Sequence, residues 1–323
     1  MADLDLRDKK LLFELDFDAR KTYSKLSKAL GMSKRGVEYK IQSLEKKGII
    51  QGYYPVIDLS KLGYYYFRVL IKFNNLSANL RKEIEKYVTT NKEIGWAFWI
   101  YGEYDIGFSI WAKSLTEFQR IASKFYFAFD KYIKIRRESI GTEINFYKHR
   151  YLTESKDLNF VSIGEKVSDE LKLDEIDSNL LKLLIKKPRS QIIDLAEQIK
   201  ESPKLVAYRL KRLKAQGIIL AIRPSLKHQL LGRTYHKILI NFNNTSQDKI
   251  NQLEKYVASS PFVIYIVKAL GLCDFDIELM TESNEQLFQF VEDLQTKFPG
   301  MIKEYQTLIF GDTIKSKFLP FDV

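Results

Sequence analysis

Residues 33–50 read SKRGVEYKIQSLEKKGII, and residues 202–219 read SPKLVAYRLKRLKAQGII. Each stretch has valine fifth, tyrosine seventh and a basic residue eighth, and each ends on Gly-Ile-Ile. On a helix turning about 100° per residue, Val37, Ile41 and Leu44 fall within about 60° of one another, and so do Val206, Leu210 and Leu213 at the same spacing. These triplets are the buried stripes of two amphipathic helices. Arg35, Tyr39, Gln42 and Ser43 point away from the first stripe, and Lys204, Tyr208, Lys211 and Arg212 from the second. Ser33 and Ser202 stand where N-caps are expected.

Moving outward, residues 5–16 and 22–30 carry apolar side chains at helical spacing, Gly31 supplies a turn, and β-rich pieces broken by Pro55 follow Gly48. This order predicts three helices and a short β wing. The whole arrangement recurs after a shift of 169 residues, which carries Asp8 onto Asp177, Phe73-Asn74-Asn75 onto Phe242-Asn243-Asn244, and Gly102 and Asp105 onto Gly271 and Asp274. A unit of about 150 residues is therefore duplicated.

The period changes within each unit. Residues 64–73, 94–100, 104–112 and 133–144 read as strands and 79–89 and 115–129 as helices, giving βαββαβ. The second copy gives the same order. That is the signature of a ferredoxin-like sheet. The expected class is α+β: two tandem units, each a winged helix-turn-helix followed by a ferredoxin-like domain. The expected divisions are 1–62 and 63–149, a polar patternless linker at 150–172, then 173–231 and 232–320.

The chain has 323 residues, a formal net charge of +11 and a pI near 9.3, which favours an anionic partner. Its one cysteine, Cys273, excludes an intramolecular disulfide framework and any multi-cysteine zinc site. No apolar run suggests a membrane span and MADLDLRDKK is no signal peptide, so the cytoplasm is the expected location and no membrane partner is expected.

An amphipathic helix with a basic, hydrogen-bonding face, following a tight turn, is what entry into a DNA major groove requires. Arginine pairs with guanine and glutamine with adenine. Double-stranded DNA is the expected partner. The candidate contacts are Ser33, Lys34, Arg35, Tyr39, Lys40, Gln42 and Ser43, with Ser202, Lys204, Tyr208, Arg209, Lys211 and Arg212 in the second copy. Most basic amphipathic helices are only solvated surface, and here the three-helix context and the duplication favour DNA. Residues 33–47 hold five basic and two acidic residues and 202–216 five basic and none acidic, so stronger phosphate binding is expected of the second stretch. Lys200 replaces Gly31 at the turn, which predicts a second turn of different shape.

The pattern resembles the Lrp/AsnC, or feast/famine, family of transcription regulators. The residues that carry it are Leu4-Asp5, Asp8 and Leu11-Leu12, then Ser33, Val37, Lys40-Ile41, Leu44-Glu45, Gly48-Ile49-Ile50 and Tyr53, then Leu62-Gly63 and Gly102 with Asp105. The second copy matches at Leu173-Asp174, Asp177, Ser202, Val206, Arg209-Leu210, Leu213, Gly217-Ile218-Ile219, Leu231-Gly232, Gly271 and Asp274. The resemblance implies an N-terminal DNA-binding domain and a C-terminal domain that senses a ligand, often an amino acid, and assembles into dimers and larger even-numbered oligomers. Family members usually carry one unit per chain. Two units imply an intramolecular pseudo-dimer with an asymmetric operator.

The loops Gly102-Glu103-Tyr104-Asp105 and Gly271-Leu272-Cys273-Asp274 lie between predicted strands. They are hairpin turns on their residues alone. The resemblance implies an effector pocket there, with Gly102, Tyr104, Asp105, Gly271, Cys273 and Asp274 as its residues. His149, His228 and His236 show no metal-ligand spacing and no phosphate-binding loop is present, so no cofactor, metal or enzymatic activity is expected. Two alternatives stay open: a siroheme-decarboxylase-like enzyme, since such enzymes pair related subunits of this fold, and a metabolite-sensing module that binds no DNA.

Overall fold

Asp5 sets the start of the chain's first helix. Its carboxylate accepts the Asp8 backbone N–H at 2.7 Å, and the Asp8 carboxylate accepts the Asp5 N–H at 3.2 Å. In the computed structural model, which describes residues 4–164 and 171–316, this capping box opens α1 (Leu6–Leu15). The first unit continues with α2 (Tyr23–Leu30), α3 (Lys34–Lys46), β1 (Ile50–Ile57), β2 (Tyr65–Phe73), α4 (Ala78–Thr90), β3 (Ala97–Tyr101), β4 (Ile106–Ala112), α5 (Leu115–Phe129), β5 (Ile133–Tyr147) and β6 (Phe160–Ile163). The second unit follows with α6 (Glu175–Lys186), α7 (Ile192–Ile199), α8 (Pro203–Ala215), β7 (Ile219–Leu226), β8 (Thr234–Phe242), α9 (Gln247–Ser259), β9 (Val263–Gly271), β10 (Phe275–Thr281), α10 (Asn284–Lys297) and β11 (Ile302–Lys315).

Two winged helix-turn-helix units and two βαββαβ units are present, as the periodicity predicts. The wings differ from the expectation of separate pieces around Pro55. β1 is one strand through Pro55, and it pairs antiparallel with β7 of the other unit, from Ile50 opposite Leu226 to Ile57 opposite Ile219. Both strands are edges, so Pro55 and Pro224 deprive the ladder of little.

Within the first unit the strands lie in the order β5-β2-β4-β3, and within the second β11-β8-β10-β9. The last strand of each unit outruns its own sheet. β5 pairs with β2 up to Gly141 and then with β9 of the other unit, while β11 leaves β8 for β3. These two exchanges close the eight strands into a barrel, and β6 adds to β5 outside the ring. Alternation sorts the side chains: Phe67, Val69 and Ile71 pack under α4 and α5, while Arg68 and Leu70 point into the barrel.

Hydrophobic packing ignores the unit boundaries. Ala19, Ile57, Leu59 and Leu62 of the first unit belong to the core of the second helix-turn-helix. The first helix-turn-helix shares a core with Ile264, Tyr265 and Val267 of β9. The stretch 150–172 is not patternless. Arg150, Tyr151 and Leu152 are buried, and 160–163 forms β6; residues 165–170 lie outside the described residues, as do 1–3 and 317–320 of the expected end domains. Arg150 donates to the carbonyls of Ala258 and Ser260, so this join is stitched to the second unit. No helix among the described residues is long and apolar enough to cross a membrane.

Candidate nucleic-acid interface

The Ser33 Oγ caps α3 by accepting the Gly36 N–H at 3.0 Å, and the Ser202 Oγ caps α8 through Leu205 at 3.2 Å. Val37, Ile41 and Leu44 bury one stripe of α3; Val206, Leu210 and Leu213 bury the matching stripe of α8. On the opposite faces Arg35, Tyr39 and Gln42, and Lys204, Tyr208 and Lys211, are exposed, with Ser43 partly covered. The tyrosines stand out at 71% and 60% exposure, far more than packing alone would leave on a large aromatic ring.

The turns before the two recognition helices have one shape. Gly31 has φ 60 and ψ 42, and Lys200 has φ 57 and ψ 42. The expectation of a different second turn is corrected: Lys200 accepts the left-handed conformation, at a cost of roughly 1 kcal/mol, because Glu201 and Lys200 still complete their backbone bonds to the carbonyls of Ala196 and Glu197.

Three candidate cations are occupied within the fold. The Lys40 ammonium lies 2.8 Å from Asp5 and 2.6 Å from Asp8. Partial burial works against its charge, yet the two carboxylates hold its pKa above the usual lysine value. In the second unit Arg209 pairs with Asp174 and Asp177, and Arg212 with Asp177. These pairs strap each recognition helix to the capping carboxylates of α1 or α6. They position the reader and are not free for phosphate.

Among the described residues, exposed cations without an ion-pair partner include Lys34, Arg35, Lys46 and Lys47 on and after α3, and Lys200, Lys204, Lys211 and Lys214 before and on α8. Sequence reasoning also passed over the supporting helices. α2 exposes Lys25 and Lys28, while α7 exposes Asp194, Glu197 and Ile193. The supporting helices therefore differ in sign, α2 basic and α7 acidic. The signal lay in plain charge counts over α2 and α7.

The two readers are fixed relative to each other. Besides the β1–β7 ladder, the turns preceding α2 and α7 meet at a cleft containing Arg20 and Arg189, which occupy equivalent positions. Arg20 donates to the Pro188 carbonyl at 2.9 Å. Arg189 donates to the Tyr53 hydroxyl at 2.9 Å and stacks over that ring.

The expected effector loops are not an open pocket. Tyr104 and Cys273 are buried, and burial pushes the Cys273 thiol up to about 11. The Asp105 carboxylate accepts the Phe73 N–H and the Lys72 ammonium, both at 2.8 Å, and Asp274 accepts the Phe242 N–H at 2.8 Å. Gly102 and Gly271 sit at the two seams between units. A Cβ on Gly271 would come within 2.7 Å of the Glu138 carbonyl, so glycine is needed for the strands to close. Gly102, Gly271, Tyr104 and Cys273 lie where the two units meet, and Asp105 and Asp274 tie their loops within their own units.

A winged helix-turn-helix DNA-binding family matches residues 4–51 and 173–219. An HTH-type transcriptional regulator of Pyrococcus abyssi is 30% identical over 147 residues, which make up 45% of this chain and 97% of that protein, so one relative corresponds to one unit. The regulatory protein AsnC of Haemophilus influenzae is 27% identical over 38% of this chain and 80% of its own length. The regulator LrpA of Pyrococcus horikoshii is 44% identical over 61 residues, 19% of this chain and 43% of that protein. In fold, the siroheme decarboxylase NirDL, solved with an iron-uroporphyrin III analogue, aligns with 98% of this chain and 94% of its own at 14% identity and a TM-score of 0.62. With its two DNA-reading units and these relatives, the chain belongs to the Lrp/AsnC family of helix-turn-helix, DNA-binding transcription regulators.

Proposed function

We propose that the chain acts as a fused pseudo-dimer that reads an operator with two unlike half-sites, under the control of a small-molecule effector such as an amino acid. One observation carries the reading: two recognition helices with different exposed side chains are locked into one framework by the ladder from Ile50 opposite Leu226 to Ile57 opposite Ile219. A pair of such helices reaches successive major-groove faces about 34 Å apart. Lys34, Arg35, Tyr39 and Gln42 contact one half, and Lys204, Tyr208 and Lys211 the other, with the capped N-termini at Ser33 and Ser202 set against phosphates. Residues 1–62 and 173–231 serve as readers, and 63–149 and 232–320 as the assembly and sensing part, with 150–172 between them. The protein works in the cytoplasm, is no enzyme, and forms larger homo-oligomers through its outer surface.

Selection of bound duplexes from a random pool tests this. The expected product is a motif with two unlike halves one helical turn apart, in which Arg35→Ala and Lys204→Ala relax different halves. A perfect palindrome would overturn the asymmetric reading.

Likeness to NirDL over nearly the whole chain favours a second reading, a tetrapyrrole decarboxylase on this fold. The exposed basic faces of both recognition helices, which such an enzyme has no need of, speak for the regulator. Titration with iron uroporphyrin III decides between them. An unchanged porphyrin spectrum is expected, and a shifted Soret band with loss of a carboxyl group would reverse the choice.

A further inference from the structure

Two helices on the outside of the barrel each hold one aromatic ring in solvent between two charges of one sign. On α5, Phe127 is 82% exposed, with Lys124 three residues before it and Lys131, in the turn that follows the helix, four after it. On α10, Phe288 is 59% exposed, with Glu285 and Glu292 at the same two spacings. At about 100° per residue, each trio falls within about 60° of helix surface. Arg120 shares the α5 sector and Asp130 falls outside it. Glu93 lies 2.6 Å from both Arg120 and Lys124, so one carboxylate answers two cations and the stripe stays positive. Glu285 and Glu292 are exposed and have no ion-pair partner among the described residues. Lys297, the one lysine of α10, is turned to the Tyr256 ring.

The two stripes are not copies of each other. The first-unit equivalents of Glu285, Phe288 and Glu292 are Thr116, Gln119 and Ser123, and the second-unit equivalents of Lys124, Phe127 and Lys131 are Asp293, Thr296 and Gly300. A contact between two α5 helices, or between two α10 helices, would set like charges together, which works against it. A contact of α5 on α10 places the two rings at its centre and a Lys–Glu pair on each side of them, because the spacings are equal. Within one chain the stripes do not meet: α5 packs into the first unit's core, α10 into the second's, and both rings face solvent. The surface that fits each stripe is therefore on another copy. Such a contact joins unlike surfaces, so it leaves one α5 and one α10 free at the ends and does not close on itself as a pair.

We propose that the outer helices dock a second copy of this chain, α5 of one copy on α10 of the next, so that copies add head to tail with a single polarity. This rests on the homo-oligomer reading above and gives it a surface, a pair of anchor rings and a direction.

Sedimentation velocity of the full chain over a range of concentrations tests this. The wild type is expected to sediment faster as concentration rises, without settling at one closed size, and to come apart as salt is raised. Phe127→Ser and Phe288→Ser are each expected to weaken association at least about tenfold. Both rings are exposed, so these variants keep the fold, which the unfolding transition checks. A chain with Lys124→Glu and Lys131→Glu is expected to lose association, and so is a chain with Glu285→Lys and Glu292→Lys. An equimolar mixture of these two is expected to associate again, because the acidic α10 of one meets the basic α5 of the other. A wild type that stays monomeric at every concentration would overturn the proposal and the homo-oligomer reading together. An assembly that ignores all of these variants, or that answers to changes on only one of the two helices, would overturn the proposal and spare that reading.

Discussion

At Lys40 and Arg35 one basic side chain holds α3 to the start of α1, and its neighbour, exposed, is the one proposed to read DNA. Lys40→Met is expected to cost stability, on the order of 1 kcal/mol, by stranding the capping carboxylates of Asp5 and Asp8, and to leave the salt dependence of DNA binding unchanged. Arg35→Ala is expected to leave unfolding unchanged and to lower the slope of log affinity against log salt by about one. Chemical unfolding and a salt titration separate the two. Lys200 gives a third residue-scale outcome. At φ 57, Lys200→Gly removes left-handed strain, and a gain of up to about 1 kcal/mol is expected from thermal unfolding. The stripes of α3 and α8 were legible in the sequence because helix period and burial coincide there. The occupation of Lys40, Arg209 and Arg212 was not, because their partners lie more than thirty residues away, on the first helix of each unit.

Among the elements, the end of α1 and strand β7 meet at a buried pair. The Arg223 Nε and Nη2 donate to Asp16 at 2.6 and 3.0 Å, both side chains have no exposure, and the His149 backbone N–H donates to the same carboxylate at 2.7 Å. Asp16→Asn leaves a guanidinium uncompensated and is expected to cost about 3–5 kcal/mol, measured by urea unfolding. The His149 ring beside this pair has a pKa lowered to about 4, chiefly by burial, against which the Asp16 charge pulls only partly. Between the ordinary histidine value and 4, the unfolded chain binds a proton that the folded chain refuses. Stability is therefore level above about pH 6.5 and falls as pH drops, by about 2 kcal/mol from His149 at pH 5. Asp16, whose pKa is held down by Arg223 against its burial, keeps its contribution through this window and loses it only at more acidic pH. His149→Gln is expected to flatten the pH 5–7 profile by about one proton. Strand positions in each unit were legible within a few residues. That β5 and β11 each change sheets was not, because nothing in a period-two pattern names the partner strand.

At the scale of the whole molecule, the closed barrel predicts how a single unit behaves alone. Without the second unit, β3 loses β11, β5 loses β9 and β1 loses β7. Residues 1–164 expressed alone are expected to dimerise or aggregate through those edges, read by light scattering after size exclusion, whereas point changes on the outer helices of the full chain leave the barrel closed. The duplication and the fold of each half were legible because the copies keep their register. The buried Arg68–Asp276 pair inside the barrel escaped notice because its members lie 208 residues apart in the chain.

The unlike helices α3 and α8, joined by covalent chain, give the molecule a front and a back. A homodimer on a palindrome lands equally well either way round. This protein, on an operator with two different halves, has one landing orientation, so each face of its barrel is turned toward a fixed flank of the DNA. On the proposed asymmetric operator, the duplication would convert a symmetric clamp into an arrow, which would treat the promoter on its left differently from the promoter on its right.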